Sequence, residues 1–474
     1  MRRLVLSALV GVAWLWSGCA SDIERARLAD LDDVSAATAA RLAIEPVPVR
    51  SDPDDGAPDS IVATLAADGL DEREVVAIAL VNNRRVRIRG EHVGISRAEL
   101  VQAGLPRNPT LSGNAIVSGR GTNIELELVQ SLVELFFLPS RRRVAEAHLE
   151  AEKASATREL VGIAFEARRA YVDVRDREHR LRLARRSHDA AQAALELSQI
   201  LRAAGNVTPL QHTLMDLEES RARLDLAAAE AAVTSVREPL NVALGLWGPA
   251  TAWKLASAAP LDLAATGYDL ERVETRAVTS SLDLAENAAL ARAAAEAAGL
   301  AVGEGLFPRL VAGGAAESPE EGGWGFGPDL AIELPVFDTG AARTASARGR
   351  MRELLARHVE LAVHVRSAAR GLRASLVALD ERARYLREVH LPLATRRTRQ
   401  TLQLYNAMQV GASAVIAARR DELDVEREAT ETLREAWHAR LNLEELLAGR
   451  LETDTGHDEG PPEPARTRAG SGGH

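Results

Sequence analysis

The sequence predicts a mainly α-helical, internally duplicated protein with a small β part, and three observations carry that reading. From Ser140 to Ala204 there is no proline and a single glycine, Gly162, while Ala, Leu, Arg and Glu dominate. These are strong helix formers, and at 1.5 Å per residue they make a rod roughly 97 Å long, more than a compact domain needs. Just upstream, Ile124, Leu126 and Leu128 alternate with Asn123, Glu125 and Glu127. A period of two places the apolar set on one face of a strand and the carboxylates on the other. Both features return about two hundred residues later.

Composition fits a helical body. Of 474 residues 46% are apolar and only 3% aromatic, so Ala, Leu and Val must fill the core, as in bundles and coiled coils. The formal charge is -10, which disfavours nucleic acid as a partner for the surface.

Met1-Arg2-Arg3 and the apolar run Leu4 to Trp16 read as a secretory signal over 1–18, too short to span a membrane. Ser17-Gly18-Cys19 follows, in the form of a bacterial lipoprotein cleavage box with Trp16 where Leu is usual, so Cys19 is the expected lipidation site. No other cysteine exists, which rules out an intrachain disulfide. Ala20-Ser21, with no Asp after the cysteine, points to the outer membrane rather than inner-membrane retention. Residues 19–60 are polar, contain S-D-P-D-D-G-A-P-D and show no clear periodicity, so they read as a lipid-anchored linker.

The first repeat, 61–258, begins with a helical pattern from Leu70 to Gly104 that Pro106 and Pro109 end. Thr110 to Ser118 is a strand candidate, Gly119 to Thr122 a turn, and the alternating strand passes at Pro139 into the rod. Small and apolar residues recur along the rod at steps of three and four, as at Ala164, Ala167, Tyr171 and Val174, forming a packing seam. Gly205 stops it, and Thr208-Pro209 start a second helix as N-cap and first helical residue. That helix runs to about Leu246, with a kink expected at Pro239. The second repeat, 259–451, echoes this order: Leu306-Phe307-Pro308-Arg309-Leu310, the alternation Asp329 to Pro335, a rod Gly340 to Met408 kinked at Pro392, a turn at Val410 to Ser413, and a helix to Ala448 capped by Gly449. The tail 452–474 is disordered by composition.

Four strands of about ten residues can cross a bilayer when tilted, yet four cannot close a barrel, and open edges are not tolerated in lipid. The strands must therefore assemble from several chains. Ile124, Leu126, Leu128, Leu330, Ile332 and Leu334 are then expected to face lipid, with Trp324 and Phe326 near an interface. Glu125, Glu127, Asp329 and Glu333 are expected to line the lumen. Enzymatic chemistry has no candidates: the eleven histidines are scattered, and no metal-ligand pattern, nucleophile elbow, Walker loop or cofactor fingerprint is present.

Over roughly residues 61 to 450, the order N-P-T-L, I-E-L-E-L-V-Q-S-L, A-G-N-V-T, F-G-P-D-L-A-I-E-L-P-V-F-D-T-G and Y-N-A-M-Q-V-G-A-S resembles the TolC-like outer-membrane efflux proteins. The resemblance implies a homotrimer in which a twelve-stranded barrel in outer-membrane lipid continues as a helical tunnel into the periplasm. It also implies a passive exit duct for small molecules or metal cations, docked onto a periplasmic adaptor and driven by an inner-membrane transporter. On this reading the tips Gly205, Asn206, Val207 and Thr208, with Val410, Gly411, Ala412 and Ser413, contact the adaptor. The aspartates that ring the pore of the family's best-known member fall here at Ala417 and Arg420, so that constriction is not carried over. Arg419, Arg420 and Asp421 are a possible ion-pair latch in its place. Two rivals are a periplasmic adaptor, which would show one hairpin rather than two, and a structural coiled-coil lipoprotein, which would leave the alternating strands without a purpose.

Overall fold

The computed structural model describes residues 2–49, 69–118, 121–256, 270–306, 310–318 and 323–452, without the side chains of 2–21, 118, 121, 306 and 412. Cys19 therefore lies outside the described side chains, and residues 307–309, the tail from 453 and the expected repeat boundary at 258/259 lie outside the description altogether. After helix α1 (Arg2–Leu42) come α2 (Glu72–Asn82), α3 (Arg84–Ala103), β1 (Thr110–Ser118), β2 (Gly121–Ser131), α4 (Leu132–Ala203) and α5 (Pro209–Leu244). The same order returns as α6 (Val273–Ser280), α7 (Leu282–Leu306), β3 (Leu310–Ser318), β4 (Gly325–Ile332), α8 (Ala341–Tyr385), α9 (Leu391–Asn406) and α10 (Ala412–Ala448).

The duplication holds to the residue. Asn83, between α2 and α3, and Ser281, between α6 and α7, share the same extended backbone (φ -66°, ψ 124° and φ -61°, ψ 118°). At that spacing of 198, the buried Val86, Val93 and Leu100 recur as the buried Leu284, Ala291 and Ala298. In the long helices the buried Ile163, Ala167 and Val174 recur 202 positions on as Val365, Ala369 and Leu376. At the tips the spacing is 203, from Gly205 to Met408. The extra residue falls in a π-helical turn, Leu386–His390, between α8 and α9, and a π turn takes up more chain than an α turn. Pro392 follows it; the proline ring would crowd the carbonyl of Glu388 four residues back, so the distortion expected at Pro392 appears one turn earlier.

Three expectations need correction. The first rod begins at Leu132, straight from β2, and Pro139 lies inside it at the cost of one backbone hydrogen bond; its 72 residues make a rod roughly 108 Å long. The helix expected from Leu70 to Gly104 breaks at Asn83, whose side chain accepts from the Arg85 N–H and donates to the Ala243 carbonyl. The second helix ends, as expected, near Leu246: α5 runs through Pro239 to Leu244 and closes on left-handed Gly245. The linker over 19–60 is helical through Leu42, because Leu31, Val34, Thr38 and Ala39 recur at helical spacing and are buried.

Helix α1 is tied to both repeats. Asp30 takes a two-point hydrogen bond from Arg97 on α3 at 2.5 and 2.6 Å, and Asp33 pairs with Lys153 on α4 at 2.7 Å. Arg41 donates to the Ser280 and Ala448 carbonyls, both at 2.7 Å, placing a cation at the negative C-terminal ends of α6 and α10.

The core has three parts. One surrounds α4 with α1, α2, α3 and α5; one lies within the second repeat, around Val365, Ala369 and Leu376 of α8. The third joins the repeats, packing Val161, Phe165 and Val172 of α4 against Leu282 of α7 and Trp437 and Leu441 of α10. Beside it, Gly162 leaves room for the Arg450 guanidinium, which a Cβ at that position would meet at 2.3 Å. Arg450, at 2.6 Å, and Arg169 neutralise Glu445, whose side chain is 1% exposed.

Candidate channel wall and tip turns

The four strands form one antiparallel sheet in the order β1-β2-β3-β4, which leaves β1 and β4 as open edges. Its register sorts the side chains. Glu125 stands opposite Asn114 and Glu317, Glu127 opposite Ser112 and Ala315, and Asp329 opposite Gly313. Directly opposed residues share a face, so these polar groups lie together among the small residues Gly313, Ala315, Gly325 and Gly327. The other face carries Leu111, Val117, Ile124, Leu126, Leu128, Phe326, Leu330 and Ile332. That face is apolar and uncovered: Val117 is 79% and Phe326 82% exposed. Aromatic side chains stand at both ends, with Trp324 stacked on Phe326 at 6.4 Å at one and Phe136 and Phe337 exposed where the sheet meets the helices at the other.

No Lys, Arg or His occurs in any of the four strands. The Ser112 hydroxyl donates to the Glu127 carboxylate at 3.2 Å and the Asn123 amide to Glu317 at 3.3 Å. Glu317, directly across from Glu125, was not singled out in the sequence, because A-A-E-S has no alternating apolar set to mark it as strand. Glu333, expected on this face, lies one residue beyond the sheet: β4 ends at Ile332, and the chain turns at Leu334-Pro335-Val336, where the Val336 N–H donates to the Leu334 carbonyl at 2.8 Å.

The two tips are the same turn. In the first, the Asn206 N–H donates to the Leu201 carbonyl at 2.8 Å and Gly205 has φ +75°; in the second, the Gln409 N–H donates to Leu404 at 2.9 Å and Met408 has φ +62°. Both have the Schellman pattern that closes a helix with one left-handed residue. The next helix starts differently: Thr208 and Gln211 form a capping box, whereas Gly411 caps α10 with no side chain. The glycine of the second tip is thus the helix cap, and the left-handed position belongs to Met408, a residue type that gives no sequence signal for it.

Arg419, Arg420 and Asp421 do not pair with one another. Arg419 meets Glu422 on its own helix at 2.8 Å, Arg420 pairs with Glu218 on α5, and Asp421 pairs with Arg397 on α9. Arg420 therefore ties the second hairpin to the first. Burial works against the charged form of Glu422, but hydrogen bonds from Arg419, Thr398 and Thr395 outweigh it and hold its carboxyl below the usual range. Higher up the same junction, Glu431 accepts from Arg434 at 2.5 Å and from Arg180, and Asp173 meets His438 at 2.8 Å. Burial pushes Asp176 up, while the arginines bring Glu431 down to about 2 against the opposing effect of its own burial.

Among the described residues no cluster of metal-ligating side chains occurs, and no helix is long and apolar enough to cross a membrane. No family model matches the sequence. The cobalt-zinc-cadmium resistance protein CzcC of Cupriavidus metallidurans is 25% identical over 374 residues, 76% of this chain and 84% of that protein. Among solved structures, CusC, described as forming a transmembrane channel, superposes with a TM-score of 0.69 at 16% identity, covering 80% of this chain and 93% of CusC. The outer-membrane protein VceC of Vibrio cholerae gives 0.66 at 16% identity over 80% of this chain and 97% of its own. The Campylobacter jejuni outer-membrane channel CmeC gives 0.64 at 12% identity over 82% and 88%. Duplicated hairpins, a four-stranded sheet and these likenesses agree: the chain has the fold of these outer-membrane channels.

Proposed function

We propose that this chain is the outer-membrane exit duct of a tripartite efflux system, working as a homotrimer with a periplasmic adaptor and an inner-membrane transporter. The sheet carries this reading: one apolar, exposed face, one polar face, and two open edges that only further copies can pair. Three copies would join β4 of one to β1 of the next, turn the apolar face to lipid between the two aromatic levels, and enclose Glu125, Glu127, Glu317 and Asp329. Four carboxylates per copy, with no Lys, Arg or His among the described strand residues, favour metal or other cations as cargo, in keeping with the metals in the name of CzcC. The tips would meet the adaptor, the Arg420–Glu218 pair would hold neighbouring hairpins together at the periplasmic end, and Cys19 would carry the lipid anchor.

The test is fractionation of a Cys19→Ala variant behind a cleavable signal, washed with carbonate and run unheated on a gel. Retention in the outer membrane as a trimer-sized species is the expected result. Release as a soluble rod would overturn the channel and return the coiled-coil lipoprotein. For the cargo, planar-bilayer reversal potentials should favour K+ over Cl-, and equal permeability would overturn the cation preference.

A further inference from the structure

Helix α4 leaves the sheet with one amphipathic side. Leu132, Leu135, Phe136, Pro139, Arg142 and Arg143 are all exposed, Phe136 to 77%, and steps of three and four put them on one face of the helix, apolar first and then cationic. About three turns beyond Arg142 the same face meets α1, where Lys153 pairs with Asp30 and Asp33. Leu42, at the other end of α1, packs against the cluster of Val161 and Phe165, so α1 and α4 run parallel. Eleven residues back from Asp30 and from Lys153, roughly 16 Å along each helix, lie residue 19 of the α1 backbone and Arg142 of α4. The anchor position Cys19 and Arg142 are therefore on the same side of the molecule and at the same level.

Four arginines gather at this level, and three are satisfied within the chain. Arg107 meets Glu134, Arg141 meets Glu304 and Arg143 meets Glu296, each at 3.0 Å. Arg142 has no acidic partner among the described residues. Its stem passes Gly104 at the end of α3, 4.0 Å from where a Cβ there would lie, and the residue stands exposed nearly two turns beyond Phe136, roughly 9 Å along the helix. Aromatic rings sit at the headgroup level of a bilayer, and long cationic side chains extend from an apolar stem toward the phosphates. The second repeat differs at this place. At the spacing of 202, Leu132 and Leu135 become the exposed Leu334 and Phe337, but Arg142 and Arg143 become Thr344 and Ala345, and the neighbouring Arg343 is paired with Asp338 at 3.3 Å.

We propose that Arg142 binds the phosphate of an anionic phospholipid, one headgroup per chain, with the acyl chains lying along Leu132, Leu135 and Phe136. This rests on the exit-duct reading, which sets that face at the periplasmic surface of the membrane, and adds to it a lipid preference carried by the first repeat alone. A planar guanidinium offers paired donors to a phosphate. Arg141 and Arg143 are already neutralised by carboxylates of the chain, whereas nothing acidic competes for Arg142. A zwitterionic headgroup carries an ammonium that offsets its phosphate, so an anionic headgroup gains more from the same arginine. The site then lies beside the lipid anchor on α1, and both hold the chain at one depth.

Native mass spectrometry of the full-length, detergent-solubilised protein tests this, with palmitoyl-oleoyl phosphatidylglycerol or the matching phosphatidylcholine added. The trimer should retain phosphatidylglycerol, up to one per chain, roughly five-fold more than phosphatidylcholine, the effect of one basic residue at an anionic surface. Arg142→Gln should bring the two lipids level, whereas Arg343→Gln in the second repeat should leave the preference unchanged. Equal retention of both lipids by the unmodified trimer, or an unchanged preference in Arg142→Gln, overturns the site and leaves the exit duct standing. A protein with no trimer and no bound lipid of either class overturns both. As a second measurement, phosphatidylglycerol added to phosphatidylcholine vesicles should raise the temperature at which the trimer band dissociates in the unmodified protein and not in Arg142→Gln. The same rise in both would also overturn the site.

Discussion

The two long helices descend from one pattern and face different surroundings. Helix α4 is buried on two sides, with Ile163, Ala167 and Val174 turned to its own repeat and Val161, Phe165 and Val172 to the other. Helix α8 keeps the first set as Val365, Ala369 and Leu376, but at the second it has the exposed Val363, Ser367 and Ala374. A duplicated element keeps its residues where the neighbour is still in the chain, and departs where the neighbour is not. Gly162, under Arg450, corresponds to the exposed His364 for the same reason: only one of the two helices has an arginine laid across it.

The sharpest way to break this asymmetry is at Glu445. Glu445→Ala leaves Arg169 and Arg450 facing each other in a mostly buried site, and losing one side of such a pair costs about 3–5 kcal/mol. Denaturant unfolding of the detergent-solubilised protein, followed by helical circular dichroism, should show that loss. Next, Gly162→Ala drives a methyl into the Arg450 guanidinium; overpacking of this kind costs about 1–3 kcal/mol, whereas His364→Ala at the matching place should change stability by less than about 0.5 kcal/mol. Equal effects from the two would contradict the one-sided burial of α8.

The tips give a smaller contrast. Gly205→Ala should destabilise by about 1 kcal/mol and Met408→Gly should stabilise by a comparable amount, since both positions hold the left-handed conformation and only one has the residue suited to it. Melting of the two variants checks the opposite signs. Smallest is a pH effect at the junction. The Glu431 carboxyl, held down to about 2 in the folded state from an ordinary 4.5, contributes stability that is complete above about pH 4.5 and disappears as pH falls through about 2. Glu431→Gln should therefore flatten the stability profile across that window.

Much of this was legible in the sequence because it rests on periodicity and on turn residues. The alternation at Ile124 to Leu128 became β2, Gly205 and Thr208 closed and opened helices as their residue types require, and the duplication was visible as ordered echoes. What escaped has physical reasons. Glu317 sits in a strand of Gly and Ala without apolar alternation, so its place opposite Glu125 is a matter of register. The N-terminal helix has its apolar residues diluted by aspartates whose partners, Arg97 and Lys153, lie far along the chain. Met408 carries no sign of the left-handed turn it occupies, and Glu333 continues an alternation that the chain abandons one residue earlier.

By itself the sequence determined the local elements: which stretches are rods, which are strands, where each turns, and that the whole is built twice. These follow from short-range preference and the spacing of apolar side chains, which any segment carries with it. The tertiary structure alone decided which faces are covered: that Gly162 serves Arg450, that Arg420 reaches the first hairpin through Glu218, and that α8 keeps one face open. Such facts depend on side chains tens to hundreds of residues apart meeting across helices. No local pattern records that meeting, because burial belongs to the pair and not to either partner alone.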